Sequence, residues 1–141
     1  MKTQKTLEIE CALIKQSRKM RIFGCLEVTI GWYGKERVDY LTTDYKNMWR
    51  CYEIKVTKSD FYSNARKTFI GNFNYYVMPL ELYEIVKEDI PSHIGVKYVD
   101  EYGYIQCKRK AEKQEVTSKM DKVLSNSLIR CLCRDINTLK K

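Results

Sequence analysis

Apolar and polar positions alternate along residues 37–43 and again along 48–58, and β-branched and aromatic residues fill both stretches, which predicts a β-hairpin. Between them, Asp44-Tyr45-Lys46-Asn47 is turn chemistry. Charges interrupt the pattern where a buried sheet should carry none: Asp39 in the first arm, Glu53 and Lys55 in the second. Side chains alternate across a strand, so Glu53 and Lys55 share a face. Folding the arms about Lys46 sets Asp39 opposite Glu53, whereas a slip of one residue would send Asp39 to the other face. Two neighbouring carboxylates repel and hold protons more tightly unless a cation neutralises them. A hard cation that prefers oxygen ligands, such as magnesium, suits that pair.

The remaining pattern supplies the rest of an α/β domain. Residues 3–21 predict a helix with Leu7, Cys11 and Ile14 on its apolar face and Glu10 at the edge of that stripe. Lys15, Arg18, Lys19 and Arg21 close it with positive charge, which suits the helix's negative pole. A strand over 25–33 carries Glu27, read as a rim residue, and Gly34-Lys35-Glu36 turns it into the hairpin. After Lys55 the period changes. Ser59 reads as the N-cap of a helix to about Phe69 with Phe61, Ala65 and Phe69 inward, stopped by Gly71-Asn72. A strand over 73–78 ends at Pro79, and a strand–helix–strand passage implies a right-handed parallel crossover and so a mixed sheet. A short helix over 80–87 and a loop with His93, read as a surface residue, lead to a hairpin of 95–99 with 104–108. A basic linker, 108–113, precedes a final helix over 116–138. Its stripe of Met120, Val123, Leu124, Ser127, Leu128, Cys131 and Leu132 reads as core cover, with docking of a partner helix the lesser reading.

Length and composition change this picture little. A chain of 141 residues is expected to form a single domain, 1–141, with a C-terminal helical extension at about 115–138. No apolar run is long enough to cross a bilayer and the N-terminus lacks an apolar signal core, so a soluble cytoplasmic protein is expected. Six cysteines without a Cys-x-x-Cys and with a lone histidine read as reduced core thiols rather than a disulfide or zinc framework. The net charge of +8 favours an acidic partner, nucleic acid before membrane.

One stretch carries more specific information. Asp39, a gap of 13 residues, Tyr52-Glu53-Ile54-Lys55-Val56-Thr57-Lys58-Ser59-Asp60-Phe61 and then Asn74-Tyr75-Tyr76-Val77-Met78-Pro79 together resemble the PD-(D/E)XK nuclease superfamily. Within it the pattern is similar to the MmcB-like and phage-encoded nuclease group, over nearly the whole chain. A bare acid-x-Lys arises by chance, and Asp44-Tyr45-Lys46 is such a decoy in a turn; the placement of Glu53 and Lys55 in an apolar strand beside a second acidic strand is what distinguishes them. Val38 stands where the superfamily often has proline, the connection from helix to fourth strand is short, and the basic or histidine–tyrosine elements of some relatives have only Arg66 and Lys67 as stand-ins.

The resemblance implies a restriction-endonuclease-like fold, a mixed β-sheet core flanked by helices in the order αβββαβ, with an added hairpin and C-terminal helix. It implies that Asp39, Glu53 and the Ile54 carbonyl hold Mg2+ or Mn2+, completed by Glu10 from the first helix. Lys55 would orient the attacking water and counter charge on phosphate. Lys58, Arg66, Lys67, Lys108, Arg109 and Lys110 would hold backbone phosphates, contacts that carry no sequence information. The expected activity is metal-dependent hydrolysis of DNA phosphodiester bonds in repair, recombination or phage DNA metabolism, and cutting both strands would favour a homodimer. The alternatives are a nucleic-acid-binding protein that keeps the fold without catalysis, a buried Asp39–Lys55 ion pair with no chemistry, and a structural partner that uses the final helix as its interface.

Overall fold

The structure is a computed structural model that describes residues 2–32, 34, 36–63 and 67–140. Its elements in chain order are α1 (Gln4–Met20), β1 (Phe23–Thr29), β2 (Arg37–Thr43), β3 (Trp49–Ile54), α2 (Lys58–Phe61), β4 (Phe73–Val77), α3 (Leu80–Val86) with a 3-10 turn behind it, β5 (Gly95–Val99), β6 (Ile105–Arg109) and α4 (Ser118–Lys140). The strands form one sheet in sequence order, β1 to β6. β1–β2–β3 pair antiparallel, β3–β4–β5 parallel and β5–β6 antiparallel. This is the mixed α/β sheet expected from the pattern, with the added hairpin and C-terminal helix in place.

Helices cover both faces. α1 packs Ile9 and Leu13 against Tyr40, Tyr52, Ile54, Tyr75 and Val77 on one face. On the other, α4 sets Leu124, Leu128 and Cys131 onto Cys25, Val28, Leu41, Trp49 and Cys51, while α2 and α3 bring Phe61, Leu82 and Val86 to Tyr76 and Val96. Glu53 is paired with Tyr76 and lies two residues from Cys51, so it stands on this second face, between two apolar clusters.

Several local expectations need correction. The inward face of α1 is Ile9, Glu10, Leu13 and Ser17, whereas Leu7 and Cys11 are exposed. The stripe at 7, 11 and 14 was one of two overlapping helical spacings, and the sheet takes the one that lets Ser17 bond the Tyr40 hydroxyl at 2.7 Å. β1 ends at Thr29, and Trp32 is exposed beyond it. Thr57, not Ser59, caps α2 by accepting from the Asp60 N–H, and α2 is a single turn that ends at Phe61. Ala65 and Arg66 lie outside the described residues, and Lys67 to Ile70 are not helical. Phe69 nevertheless reaches the cluster of Phe61 and Tyr76 assigned to it. Of the thiols read as core, Cys11, Cys107 and Cys133 are exposed; Cys25, Cys51 and Cys131 are buried.

Asn72, expected to stop the helix after β3, has no helix to stop and ties separate segments together instead. Its Oδ1 accepts from the Trp49 N–H at 2.8 Å and its Nδ2 donates to the Gln114 carbonyl at 3.1 Å, tying β3 to the segment that leads into α4. The turn of the last hairpin is closed by Asp100, which accepts from the Tyr102 and Tyr104 N–H groups, and by Gly103 at φ 85°, a conformation glycine adopts without strain.

Candidate functional site

The β2–β3 ladder runs Tyr40–Tyr52, Leu41–Cys51, Thr42–Arg50 and Thr43–Trp49, which is the register obtained by folding about Lys46. Regular pairing stops one step short of Asp39 and Glu53. Val38 belongs to the cluster under α4 and Tyr40 to the cluster under α1, although two residues apart on one strand should share a face. The neighbouring strand breaks alternation at the matching place, with Leu26 packed toward α1 and Val28 toward α4. Between them, Glu27 adopts φ 53°, a left-handed conformation that costs a non-glycine residue on the order of 1 kcal/mol or more. The two strands are thus distorted together at Glu27 and Asp39 without losing register on either side.

That distortion frees Asp39 to act within the plane of the sheet. Its Oδ2 accepts from the Ile54 N–H at 2.8 Å, standing in for the strand carbonyl that a regular ladder would place there. On the opposite edge, the Lys55 N–H donates to the Val77 carbonyl at 3.1 Å and anchors the end of β3 to β4. Glu53 is almost wholly buried, accepts from the Thr68 N–H at 3.1 Å and is hydrogen-bonded to the Asp39 carboxyl. Burial first, then the Asp39 charge and the bond to it, push the Glu53 carboxyl up to about 8; the Thr68 bond and the Lys55 charge oppose that rise without cancelling it. At neutral pH Glu53 therefore carries a proton. The same burial raises Tyr76, its cross-strand neighbour, to about 12.

Glu10, Glu27, Asp39, Lys55 and Asp60 line one small cavity of about 210 Å³, together with Lys2 and Arg37. The ion pair described for buried Lys55 is with Asp60 at 3.7 Å, so the structure gives Lys55 a different partner from the Asp39–Lys55 pair considered as the alternative without chemistry. Asp60 is itself fixed by accepting from the Val56 N–H at 3.1 Å. Glu10 is buried on the inward side of α1 and bonded to Lys2, whose ammonium also meets Glu27 at 3.1 Å. Partial burial works against the Lys2 charge, but the two carboxylates outweigh it and raise its pKa. A larger cavity, about 670 Å³, lies between α1 and the last hairpin, where Lys15 and Lys19 sit over the Tyr104 ring; no carboxylate lines it.

Among the described residues no group of three or more histidine, cysteine, aspartate or glutamate side chains is gathered as metal ligands. The donors still suit a hard divalent ion. Asp39 and Glu53 are two adjacent carboxyls, neither in an ion pair among the described residues, and Thr68, which bonds Glu53, has a buried Oγ1 without a partner among those residues. Glu10 lines the small cavity that Asp39 lines, with its charge already answered by Lys2.

The residues assigned to phosphate contacts are scattered. Lys58 and Lys110 are exposed, Lys67 lies over the Phe61 ring at 5.2 Å and Lys108 over the Tyr83 ring at 6.0 Å. Arg109 is a correction: its guanidinium donates to the carbonyls of Ile90, Pro91 and Ile94, closing the loop before β5, and is spent on structure. Arg66 lies outside the described residues. The decoy Asp44 is turn structure as expected, accepting from the Lys46 and Met48 N–H groups and pairing with Arg50.

Sequence reasoning missed Lys2, Asp60 and Thr68 and set Glu27 at the rim. Two of these left a signal. Folding β1 onto β2 about position 33 sets Glu27 across from Asp39, and Thr57-x-x-Asp60 is a capping pattern that fixes a carboxylate five residues after Lys55.

No protein-family profile matches the chain, and no curated protein matches it. Among solved structures, the chain is similar to a protein of unknown function from Silicibacter pomeroyi, with 18% identity and a TM-score of 0.80 over 100% of this chain and 94% of that one. At that identity the match speaks to the fold. Among the described residues no helix is long and apolar enough to cross a membrane.

Proposed function

We propose that the chain is a metal-dependent nuclease of the PD-(D/E)XK type, acting on DNA, with Asp39, Glu53 and Lys55 as its catalytic residues. The observation that carries this reading is the hydrogen-bonded Asp39–Glu53 carboxyl pair, with Glu53 buried near the end of an apolar strand, Asp39 half-buried beside it and buried Lys55 just past the strand's last residue. A fold seldom keeps two carboxyls so placed unless a cation or a reaction uses them. Asp39, Glu53 and the Ile54 carbonyl would hold Mg2+ or Mn2+, with Glu10 completing the set once Lys2 releases it. The bound ion would lower the pKa of an attacking water and stabilise charge on the phosphoryl group.

The side chains have their own tasks. Asp39 is fixed through the Ile54 N–H and Glu53 through the Thr68 N–H, so neither must be ordered when ligand binds. Lys55, held by Asp60, would orient the water and meet the negative charge that builds on phosphate. Exposed Lys58 and Lys110 would add contacts to the strand's phosphates.

A second reading, DNA binding without catalysis, has one observation in its favour: the Lys2 ammonium already answers the Glu10 charge. Cleavage of supercoiled and linear DNA, duplex and single-stranded, in Mg2+ or Mn2+ separates the two. Cleavage that Lys55→Ala abolishes supports the nuclease. No cleavage in either metal, with DNA binding that weakens steeply as salt rises, overturns it in favour of the second reading.

A further inference from the structure

The outward side of α4 carries a pattern that neither the core nor the acid site uses. Ile129, Leu132, Ile136 and Leu139 are all exposed, at 60%, 36%, 57% and 85%. Their spacing of three, four and three residues is the a and d spacing of a heptad, with isoleucine at both a positions and leucine at both d positions. This stripe is turned about 100° around the helix from the buried Leu124, Leu128 and Cys131. Every residue from 132 to 140 is exposed, so the last turns of α4 are open to a second helix along this side.

The geometry points to a second copy of this chain as the occupant, with the two α4 helices packed in parallel through residues 129–139. Isoleucine at a with leucine at d is the combination that favours two strands in a parallel pair. The flanking charges agree. Asp135 takes the g position and Lys140 the following e position, so in a parallel pair each Asp135 faces the partner's Lys140, twice by symmetry. An antiparallel pair would set g beside g and e beside e, and those charges would not meet. Within its own chain Asp135 pairs with the adjacent Arg134 at 2.9 Å, both about half exposed, and accepts from the Cys25 thiol at 3.5 Å, contacts weak enough to yield. Eight apolar side chains at on the order of 100 Å² each bury less than the about 1,200 Å² of a standard interface, so the dimer is weak and depends on concentration.

Sedimentation velocity of the full chain from about 1 to about 200 µM tests this. The wild type is expected to pass from monomer to dimer across that range, while Ile136→Glu stays monomeric with an unchanged thermal melt, since Ile136 is exposed and belongs to none of the described core clusters. Asp135→Lys, which sets lysine against lysine, should loosen the dimer by about five- to thirtyfold, and adding Lys140→Asp should restore it. A wild type that is monomeric throughout overturns the proposal. So does an Ile136→Glu protein that dimerises like the wild type, and a dimer indifferent to both charge changes overturns the parallel pairing.

Discussion

Replacing Glu53 by glutamine should stabilise the metal-free protein, although the side chain is buried and hydrogen-bonded. The folded state raises the Glu53 carboxyl from 4.5 to about 8. A group whose folded value lies above its unfolded one contributes stability that is complete below about pH 4.5 and is lost as pH rises through about 8. At about 1.36 kcal/mol per unit, ionisation in the unfolded chain alone sets an upper bound of about 3 kcal/mol on the stability lost by pH 7. Relaxation and water entry reduce it, and about 1–3 kcal/mol is the working range. Glutamine keeps the size and an oxygen to accept from the Thr68 N–H, and it carries no proton to lose. Urea unfolding from pH 4.5 to 9 should therefore show the two proteins converging at the acid end, with Glu53→Gln ahead at the alkaline end. Adding Mn2+ should reverse the order. The wild type gains stability, more so as pH rises and the proton leaves, while the glutamine variant gains little. Parallel pH profiles for the two proteins would refute the buried-acid argument, and an equal gain from Mn2+ would refute the metal site.

Three further outcomes follow from the surroundings. Lys2→Ala frees both Glu10 and Glu27, so titration calorimetry should show several-fold tighter Mn2+ binding at a stability cost within about 1 kcal/mol, since that lysine is partly exposed. Burial lowers Lys97 from 10.5 to about 8, so below pH 8 the fold bears the full cost of its charge and the cost fades as pH rises to 10.5. Lys97→Met should raise stability by about 1–3 kcal/mol at pH 7 and by little near pH 10.5, read by urea denaturation. Asn72→Ala leaves the Trp49 N–H and the Gln114 carbonyl without their partner and should cost about 2–4 kcal/mol in the same assay.

The hairpin and its register were legible because alternation, turn chemistry and a shared centre all constrain the same few residues. β4, α3 and the last hairpin were legible for a similar reason: each is a strong local period bounded by Pro79, by a turn, or by Gly103. The inward face of α1 was not, since Leu7-Cys11-Ile14 and Ile9-Leu13 both have helical spacing and only the tyrosines of the sheet choose between them. α2 was overextended for a different cause. Phe61 and Phe69 do meet the same cluster, so the apolar spacing was genuine contact made by an irregular chain rather than by one helix. Arg109 misled because a basic run reads as surface, and nothing local to it announces three carbonyls from a loop some 15 to 19 residues earlier.

The acid site shows where sequence reasoning meets its limit and what lies past it. Alternation puts Asp39 and Glu53 on neighbouring strands, but a regular ladder would leave Asp39 pointing out of the sheet. What brings its carboxyl into line with the Ile54 N–H is a paired distortion, with Glu27 at φ 53° on one strand and a break in alternation at Asp39 on the next. Glutamate has no local preference for that conformation, so the distortion persists because the strands on both sides stay in register and Lys2 ties Glu27 to Glu10. The strain, the carboxyl pair and the lysine-held acids thus form one construction. Glu27→Gly should relieve the backbone at no cost to the ladder, yet loosen Lys2 and with it the restraint on Glu10. A rise in stability with an altered Mn2+ titration is the expected pair of results; an unchanged titration would separate the strain from the site.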